Sequence, residues 1–344
     1  PLISEVNSYP FDRLRKLLSK SSPKKYKDDL INLSIGEPKQ NSNKEILKIL
    51  KKNEKLFSQY PPIESIRDLT NSYKTYLNKR FGVSNIENEN ILNLGGTREG
   101  TFSVIQSLFN RSLKLKKPFI YMPNPFYQIY GGASLFAGAI SKHINLNEEK
   151  DFILDLDSVS ESQWRKCQLL IMCSPSNPTG SVMEKEEILK VIKLSRKYNF
   201  YIVSDECYID IYRKKPPESF IQVSIEKYGN MKNIVSLHSL SKRSNLPGFR
   251  SGMICGDKKL INNFKKYRAF HGVSIPLPIQ MASSAAWKDE KTVFKNRNFY
   301  KENFELAKKI LNYDAPEGAF YMWLKTKDGE KFSKTLFIEK NIVT

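Results

Sequence analysis

The sequence predicts an α/β protein built on a mostly parallel sheet, and three observations carry that prediction. Apolar runs alternate with amphipathic stretches from about residue 91 to 256, the order that produces β-α-β units with right-handed crossovers. Runs such as Gln168-Leu-Leu-Ile-Met-Cys173 show no polar alternation, as expected of strands covered on both faces. The strands end in loops rich in glycine, proline, asparagine or serine, and open parallel sheets bind ligands at those ends.

Length and composition set the bounds. With 344 residues, 40% hydrophobic and 27% charged, the chain has material for one large or two ordinary domains and the composition of a folded protein. No uncharged apolar run approaches a membrane span, and no basic-then-apolar leader opens the chain, so no membrane association is expected. Cys167, Cys173, Cys207 and Cys255 stand in apolar settings without CxxC spacing and read as reduced core thiols of a cytoplasmic protein. His143, His238 and His271 lack metal-ligand spacing, and no metal is expected. The net charge of +20 is spread over most predicted helices, in runs such as Lys51-Lys52, Lys116-Lys117 and Lys265-Lys266. Nucleic-acid binders concentrate charge on one face or arm. The even spread reads as a solvated surface that can steer an acidic substrate inward, with no nucleic-acid partner.

Taken in order, residues 11–18 form a short helix, and 31–35 alternate as a strand before the turn Gly36-Glu37-Pro38. Gly36 either admits a ligand close to a backbone N–H or simply turns the chain. Tyr60, beside Pro61 and Pro62, lies on a stiff exposed segment. Its hydroxyl either donates to a phosphate or packs. Residues 63–80 have the spacing of an amphipathic helix. Strand 91–94 ends in Gly95-Gly96-Thr97-Arg98, where a helix start presents backbone N–H groups and a positive dipole end to an anion. Strand 118–122 leads to Tyr127, which either stacks on a flat ring or fills the core. The loop Ser174-Pro-Ser-Asn-Pro-Thr-Gly180 is stiffened by two prolines, with cis X–Pro bonds in prospect, and offers Asn177 to a ligand oxygen.

Helix 184–198 and strand 200–204 follow, and then Asp205. An aspartate ending an apolar strand needs a cation to offset its burial. Strand 233–237 runs into Ser239-Leu-Ser-Lys242, and Pro247 and Gly248 bend the chain toward Arg250. Strand 252–255, helix Lys258–His271, a helical region over 279–312, a strand over 318–324 and a helix over 331–338 complete the chain.

Lys242 is the centre of the candidate chemistry. A lysine at a strand end among small hydroxyl residues can form a Schiff base with a carbonyl. Arg250 suits a phosphate, because its planar fork donates two parallel hydrogen bonds to oxyanions. An aldehyde and a phosphate on one small molecule point to pyridoxal 5′-phosphate. Its protonated ring nitrogen answers the charge of Asp205, and Tyr208 is near for its phenolic oxygen.

Together Tyr60, Gly96-Thr97-Arg98, Asn124-Pro-Phe-Tyr127, Ser174–Gly180, Asp205-Glu-Cys-Tyr208 and Ser239-Leu-Ser-Lys242 with Arg250 resemble the motif set of fold-type-I, class I/II aminotransferases over nearly the whole chain. The resemblance implies an arm and small-domain segment over 1–43, a large cofactor domain over 44–275 and a small α+β domain over 276–344. It makes Lys242 the attachment point and proton carrier and Asp205 the partner of the ring nitrogen. Asn177 and Tyr208 meet the phenolic oxygen, and Tyr127 stacks on the ring. Gly96, Thr97, Arg98, Ser239 and Arg250 form the phosphate cup. Gly36 and Asn177 face the substrate. Tyr60 reaches the phosphate of a neighbouring subunit, which implies a homodimer.

Within the family, the stretches 241–250, 124–130, 285–290 and 316–321 resemble the subfamily acting on N-succinyl-2-amino-6-oxopimelate, with L-glutamate as donor, in lysine biosynthesis. Ser65 stands where that pattern has glycine, and Gly131 where it has an acidic residue. Aspartate- or methionine-type transamination and carbon–sulfur lysis share the cofactor motifs and are the alternatives. Arg243 and Arg250 are expected to favour the neutral amine of Lys242 by their charge. Family members continue beyond the equivalent of Thr344 with an arginine for the substrate's α-carboxylate. No arginine follows Arg297 here, so the sequence is expected to be a fragment with impaired transamination.

Overall fold

A computed structural model describes residues 9–23, 29–111 and 118–344. The Lys116-Lys117 run and the first eight residues fall outside the described residues. The chain divides into two compact units, one formed by Pro1–Glu37 with Met322–Thr344 and the other by Pro38–Tyr321.

Nine strands occur among the described residues: β1 Ile31–Asn32, β2 Ile91–Leu94, β3 Phe119–Asn124, β4 Ile140–Asn145, β5 Cys167–Cys173, β6 Tyr201–Asp205, β7 Ile234–Ser239, β8 Gly252–Gly256 and β9 Ile342–Val343. The smaller unit pairs β1 with β9 in parallel, Ile31 opposite Ile342. Its helices are Pro10–Leu18 and Gly329–Lys340, joined by an ion pair between Arg13 and Glu330. The strand expected over 31–35 shrinks to two residues because only that much of it finds a partner.

The larger unit holds a seven-stranded sheet in the order β2-β8-β7-β6-β5-β3-β4. The pairs from β7 to β4 are parallel, and β8 runs antiparallel to both neighbours. The strand period of two sorts the side chains onto two faces. Leu170, Met172, Ile202 and Ile234 belong to one core, with Tyr73, Tyr76 and Leu77 of helix Arg67–Phe81 and Ile188, Val191 and Ile192 of helix Lys185–Tyr198. Leu169, Ile171, Val203 and Val235 belong to the other, with Val104 and Ile105 of helix Thr97–Leu108 and Leu260 and Phe264 of helix Lys258–His271. Each such aliphatic side chain contributes roughly 1.5–3 kcal/mol by leaving water, so the central strands are fixed from both sides. This is the mostly parallel, helix-covered sheet that the apolar runs predict.

Helix Lys258–His271 forms at its expected bounds. Asp257 accepts from Lys259 N–H at 2.8 Å at its start, and Gly272 takes φ 81° at its end. Two expectations need correction. The helical region over 279–312 is two helices, Leu277–Lys288 and Glu290–Leu311, broken where Asp289 takes ψ 87° and caps the second by accepting from Thr292 N–H. Residues 318–324 form no strand. Gly318 N–H donates to Gly180 O and Ala319 N–H to Ile211 O, both at 2.9 Å, so the segment is pinned between two loops instead of joining a ladder. Gly318 is required there, because a Cβ would meet the Pro175 ring at 2.5 Å. The strand β4 and helices Ile129–Phe136 and Phe220–Tyr228 are additional elements. Among the described residues no helix is long and apolar enough to cross a membrane, and no acidic, His or Cys group is arranged for a metal.

Candidate active site

The parallel strands β3, β5, β6 and β7 all end on one rim of the sheet. Because β8 is antiparallel, its first residue, Gly252, stands opposite Ser239 at the end of β7 and Leu94 at the end of β2. The loops after residues 94, 124, 173, 205 and 239, and the residue pair before Gly252, therefore emerge on the same edge. Topology alone gathers segments spread over nearly half of the chain.

Asp205 closes β6 and is 2% exposed. Tyr130 Oη donates to its Oδ2 at 3.1 Å and Cys207 N–H to its Oδ1 at 3.3 Å. No lysine, arginine or histidine pairs with it among the described residues. Burial pushes its carboxyl pKa up against the pull of those donors. The adjacent Glu206 is satisfied: Ser204 and Ser236 hydroxyls and Phe220 N–H donate to one oxygen, and His238 Nε2 lies 3.0 Å from the other. Burial pushes Glu206 up as well, but the His238 contact together with the other donors outweighs it and its pKa falls.

Lys242 lies on the one-turn helix Leu240–Arg243, whose first N–H groups are partly satisfied by Ser239 Oγ accepting from Ser241 N–H at 3.1 Å. Its Nζ is 5.9 Å from the centre of the Tyr208 ring and 5.7 Å from that of Phe320. The Tyr208 and Tyr321 hydroxyls are hydrogen-bonded to each other. Asn177 is half-buried on the loop after β5, where Ser174–Pro175 and Asn177–Pro178 are both cis, as is Asn124–Pro125. The Tyr127 ring meets the edge of the Tyr130 ring at 5.7 Å, which connects it to the floor that Tyr130 forms under Asp205.

At the other end of the rim, Gly96 opens helix Thr97–Leu108 at φ 86° with no side chain capping it. A Cβ on Gly96 would come 2.4 Å from Arg250 Nη2, so only glycine allows this guanidinium against the helix start. Arg250, itself at φ 49°, donates from Nη1 to Pro247 O at 2.9 Å. Thr97 is buried beside them. The Arg98 guanidinium donates to Tyr127 Oη at 2.6 Å, so its side chain joins the Tyr127 wall while its backbone stays in the helix's first turn.

Ten of the predicted residues thus meet on one rim: Gly96, Thr97, Arg98, Tyr127, Asn177, Asp205, Tyr208, Ser239, Lys242 and Arg250. Tyr60 is fully exposed, and Gly36 belongs to the smaller unit. Arg243 does not act as expected of a residue beside Lys242. It is 3% exposed, with Nε 3.0 Å from Asp210 Oδ2 and a second ion pair to Glu290, so its charge is answered within the core. Tyr130 and the pair Phe320-Tyr321 are additional site residues. The glycine turn is also held from behind, where Glu99 Oε2 accepts from Gly95 N–H at 2.9 Å and lies 3.3 Å from Nη1 of the buried Arg268. Tyr130 had a signal in its helical spacing from Tyr127. Arg268 had none.

Residues 28–344 match the profile of the family described as aminotransferase class I and II. The LL-diaminopimelate aminotransferase of Natranaerobius thermophilus is 26% identical over 99% of this chain and 89% of its own length. The aspartate aminotransferase of Pyrococcus horikoshii is 27% identical over 96% and 85%. Among solved structures, an aminotransferase from Neisseria meningitidis superposes with a TM-score of 0.93 at 36% identity, covering 99% of this chain and 88% of that one.

Proposed function

Because the chain belongs to the class I and II aminotransferases, a family that works with pyridoxal 5′-phosphate, we propose that the rim is its active site and that it transfers an amino group between L-glutamate and N-succinyl-2-amino-6-oxopimelate. The observation that carries the site assignment is Asp205, a buried carboxylate with no cation partner among the described residues, on the same strand-end rim as Lys242 and an uncapped, arginine-flanked helix start. The donor set suits the cofactor at each end: an anion for its ring nitrogen, and N–H groups with a guanidinium for its phosphate.

When bound, the cofactor supplies a ring that withdraws electrons from the substrate's Cα. The chain's residues do the rest. Lys242 Nζ would hold the cofactor and, once released, would take the proton from the substrate's Cα. Asp205 keeps the ring nitrogen protonated. Tyr127 covers one ring face, and Asn177 and Tyr208 donate to the phenolic oxygen. The N–H groups at Gly96, Thr97 and Arg98, the Ser239 hydroxyl and Arg250 hold the phosphate. Asn177 also lines the substrate's carboxylate, and Tyr60 completes the cup of a second copy in a homodimer.

The substrate assignment rests on the motif stretches described above. The names of relatives such as the Natranaerobius enzyme favour a second reading, free LL-diaminopimelate in place of the succinylated form. The test is the visible absorption of the purified chain with cofactor, before and after L-glutamate. A band that bleaches supports the site, and no band refutes it. Recovery of the band with the succinylated or the free 2-amino-6-oxopimelate then chooses between the readings, and recovery with oxaloacetate alone rejects both. Lys242→Ala is expected to abolish covalent attachment. Cofactor still fixed to that variant by borohydride would move the attachment point to another lysine.

A further inference from the structure

The segment 318–321 has no place in the site as read from the sequence, yet the larger unit brings it there. Its backbone is fixed on both sides, by Gly318 N–H on Gly180 O and Ala319 N–H on Ile211 O. Ala319 takes φ 56°, and the two residues that follow turn their rings onto Tyr208. Phe320 meets the Tyr208 ring edge-on at 5.5 Å and 83°, and Tyr321 at 5.4 Å and 70°. The Tyr321 hydroxyl is bonded to the Tyr208 hydroxyl.

We propose that Tyr321 is a positioning residue whose hydroxyl donates to Tyr208, so that the Tyr208 proton is directed at the cofactor's phenolic oxygen. The inference rests on the reading that Tyr208 faces that oxygen. Two hydroxyls share one contact, and only one proton can lie in it. If Tyr208 donates to Tyr321, it has no proton left for a ligand. If Tyr321 donates, Tyr208 is both free to donate onward and polarised to do so more strongly. Burial, with the Tyr321 contact and the neighbouring Cys207 and Cys173, pushes the Tyr208 hydroxyl well above its ordinary pKa, and burial does the same to Tyr321 against the pull of its bond to Tyr208. Both therefore keep their protons through the working range. The remaining charged groups nearby are Lys242, over the Tyr208 ring, and Asp205, beside Cys207. A phenolic anion is the acceptor that sets the direction of the relay.

The test is the pH midpoint of the visible band of the cofactor-loaded protein, a readout independent of turnover. A donor on the phenolic oxygen favours its ionised form and keeps that midpoint low. Tyr208→Phe is expected to raise it most. Tyr321→Phe, which retains the ring and its packing, is expected to raise it by about 0.3–0.7 pH units, two- to fivefold in the proton dissociation constant. In a Tyr208→Phe background the second change is expected to do nothing. An unmoved midpoint in Tyr321→Phe alone overturns the relay, and so does an equal shift with and without Tyr208. Loss of the band in Tyr321→Phe, with the unmodified chain still forming it, assigns Tyr321 to holding the cofactor and likewise overturns the relay. Absence of the band in the unmodified chain instead overturns the functional reading on which the relay rests.

Discussion

Asp205 and Asp210 are near neighbours in sequence, and both carboxylates are buried, at 2% and 5% exposure. Each accepts from a buried tyrosine, Tyr130 at 3.1 Å and Tyr76 at 3.0 Å. What differs is the cation. Asp210 has Arg80 Nε at 3.1 Å and Arg243 Nε at 3.0 Å, and although burial pushes its carboxyl up, the two guanidiniums together with the Tyr76 hydroxyl outweigh that and lower its pKa. Asp205 has no such partner among the described residues, and burial wins. A charge that is buried and paired belongs to the fold. One that is buried and unpaired marks a site that a ligand completes.

Exchanging each aspartate for asparagine tests the contrast most strongly. Asp210→Asn leaves Arg243 and Arg80 without their carboxylate. Removing one member of a buried pair typically costs about 3–5 kcal/mol, so its denaturant midpoint should fall sharply while the folded fraction keeps its turnover. Asp205→Asn removes a charge that the cofactor-free fold disfavours. Its cofactor-free midpoint should hold or rise, while turnover falls by about 10²–10³, the range for losing one preorganised electrostatic group. Equal losses of stability in the two variants would erase the distinction.

The pH dependence sharpens the same comparison at smaller scale. The folded pKa of Asp210 lies below its unfolded value, near 3.9 for an aspartate, so its contribution is present above that value and is lost as pH falls through the folded pKa. For Asp205 the folded pKa is raised, so its unfavourable contribution grows as pH rises past the unfolded value and disappears in acid. Cofactor-free Asp210→Asn should therefore lose less stability than the unmodified chain between pH 7 and pH 3, and Asp205→Asn should lose more. Denaturant midpoints at pH 7, 5 and 3 decide it, and slopes in the opposite order would refute the assignment of the two charges.

The sequence carried what depends on local chemistry. A nearly continuous apolar run such as β5, and a helix with an aspartate before it and a glycine after it, could be read directly because their causes lie within a few residues. The same holds for Asp205, whose place at the end of an apolar strand already required a cation. What could not be read depends on contacts far along the chain. Residues 318–321 look like a strand until Gly180 and Ile211 are seen to take their N–H groups. Arg243 follows Lys242 in sequence, but adjacent residues of a helix point in different directions, and Asp210 and Glu290 were needed to show where its charge goes.

The two tyrosines provide the finest test, because each aspartate accepts from one. Tyr76→Phe removes a donor from a carboxylate that still has two guanidiniums. Tyr130→Phe removes one from a carboxylate with no cation, leaving the Cys207 N–H at 3.3 Å. The first loss should be felt by the fold alone, at roughly 1.5–3 kcal/mol for a hydrogen bond to a charged group, with cofactor affinity unchanged. The second weakens support for ionised Asp205 where the ring nitrogen needs it, and should lower cofactor affinity about fivefold, or ~1 kcal/mol. Absorption titrations of both variants with pyridoxal phosphate measure this directly. Should Tyr76→Phe reduce affinity as much as Tyr130→Phe, the paired aspartate would be acting on the ligand too, and burial without a cation would no longer distinguish the site from the scaffold.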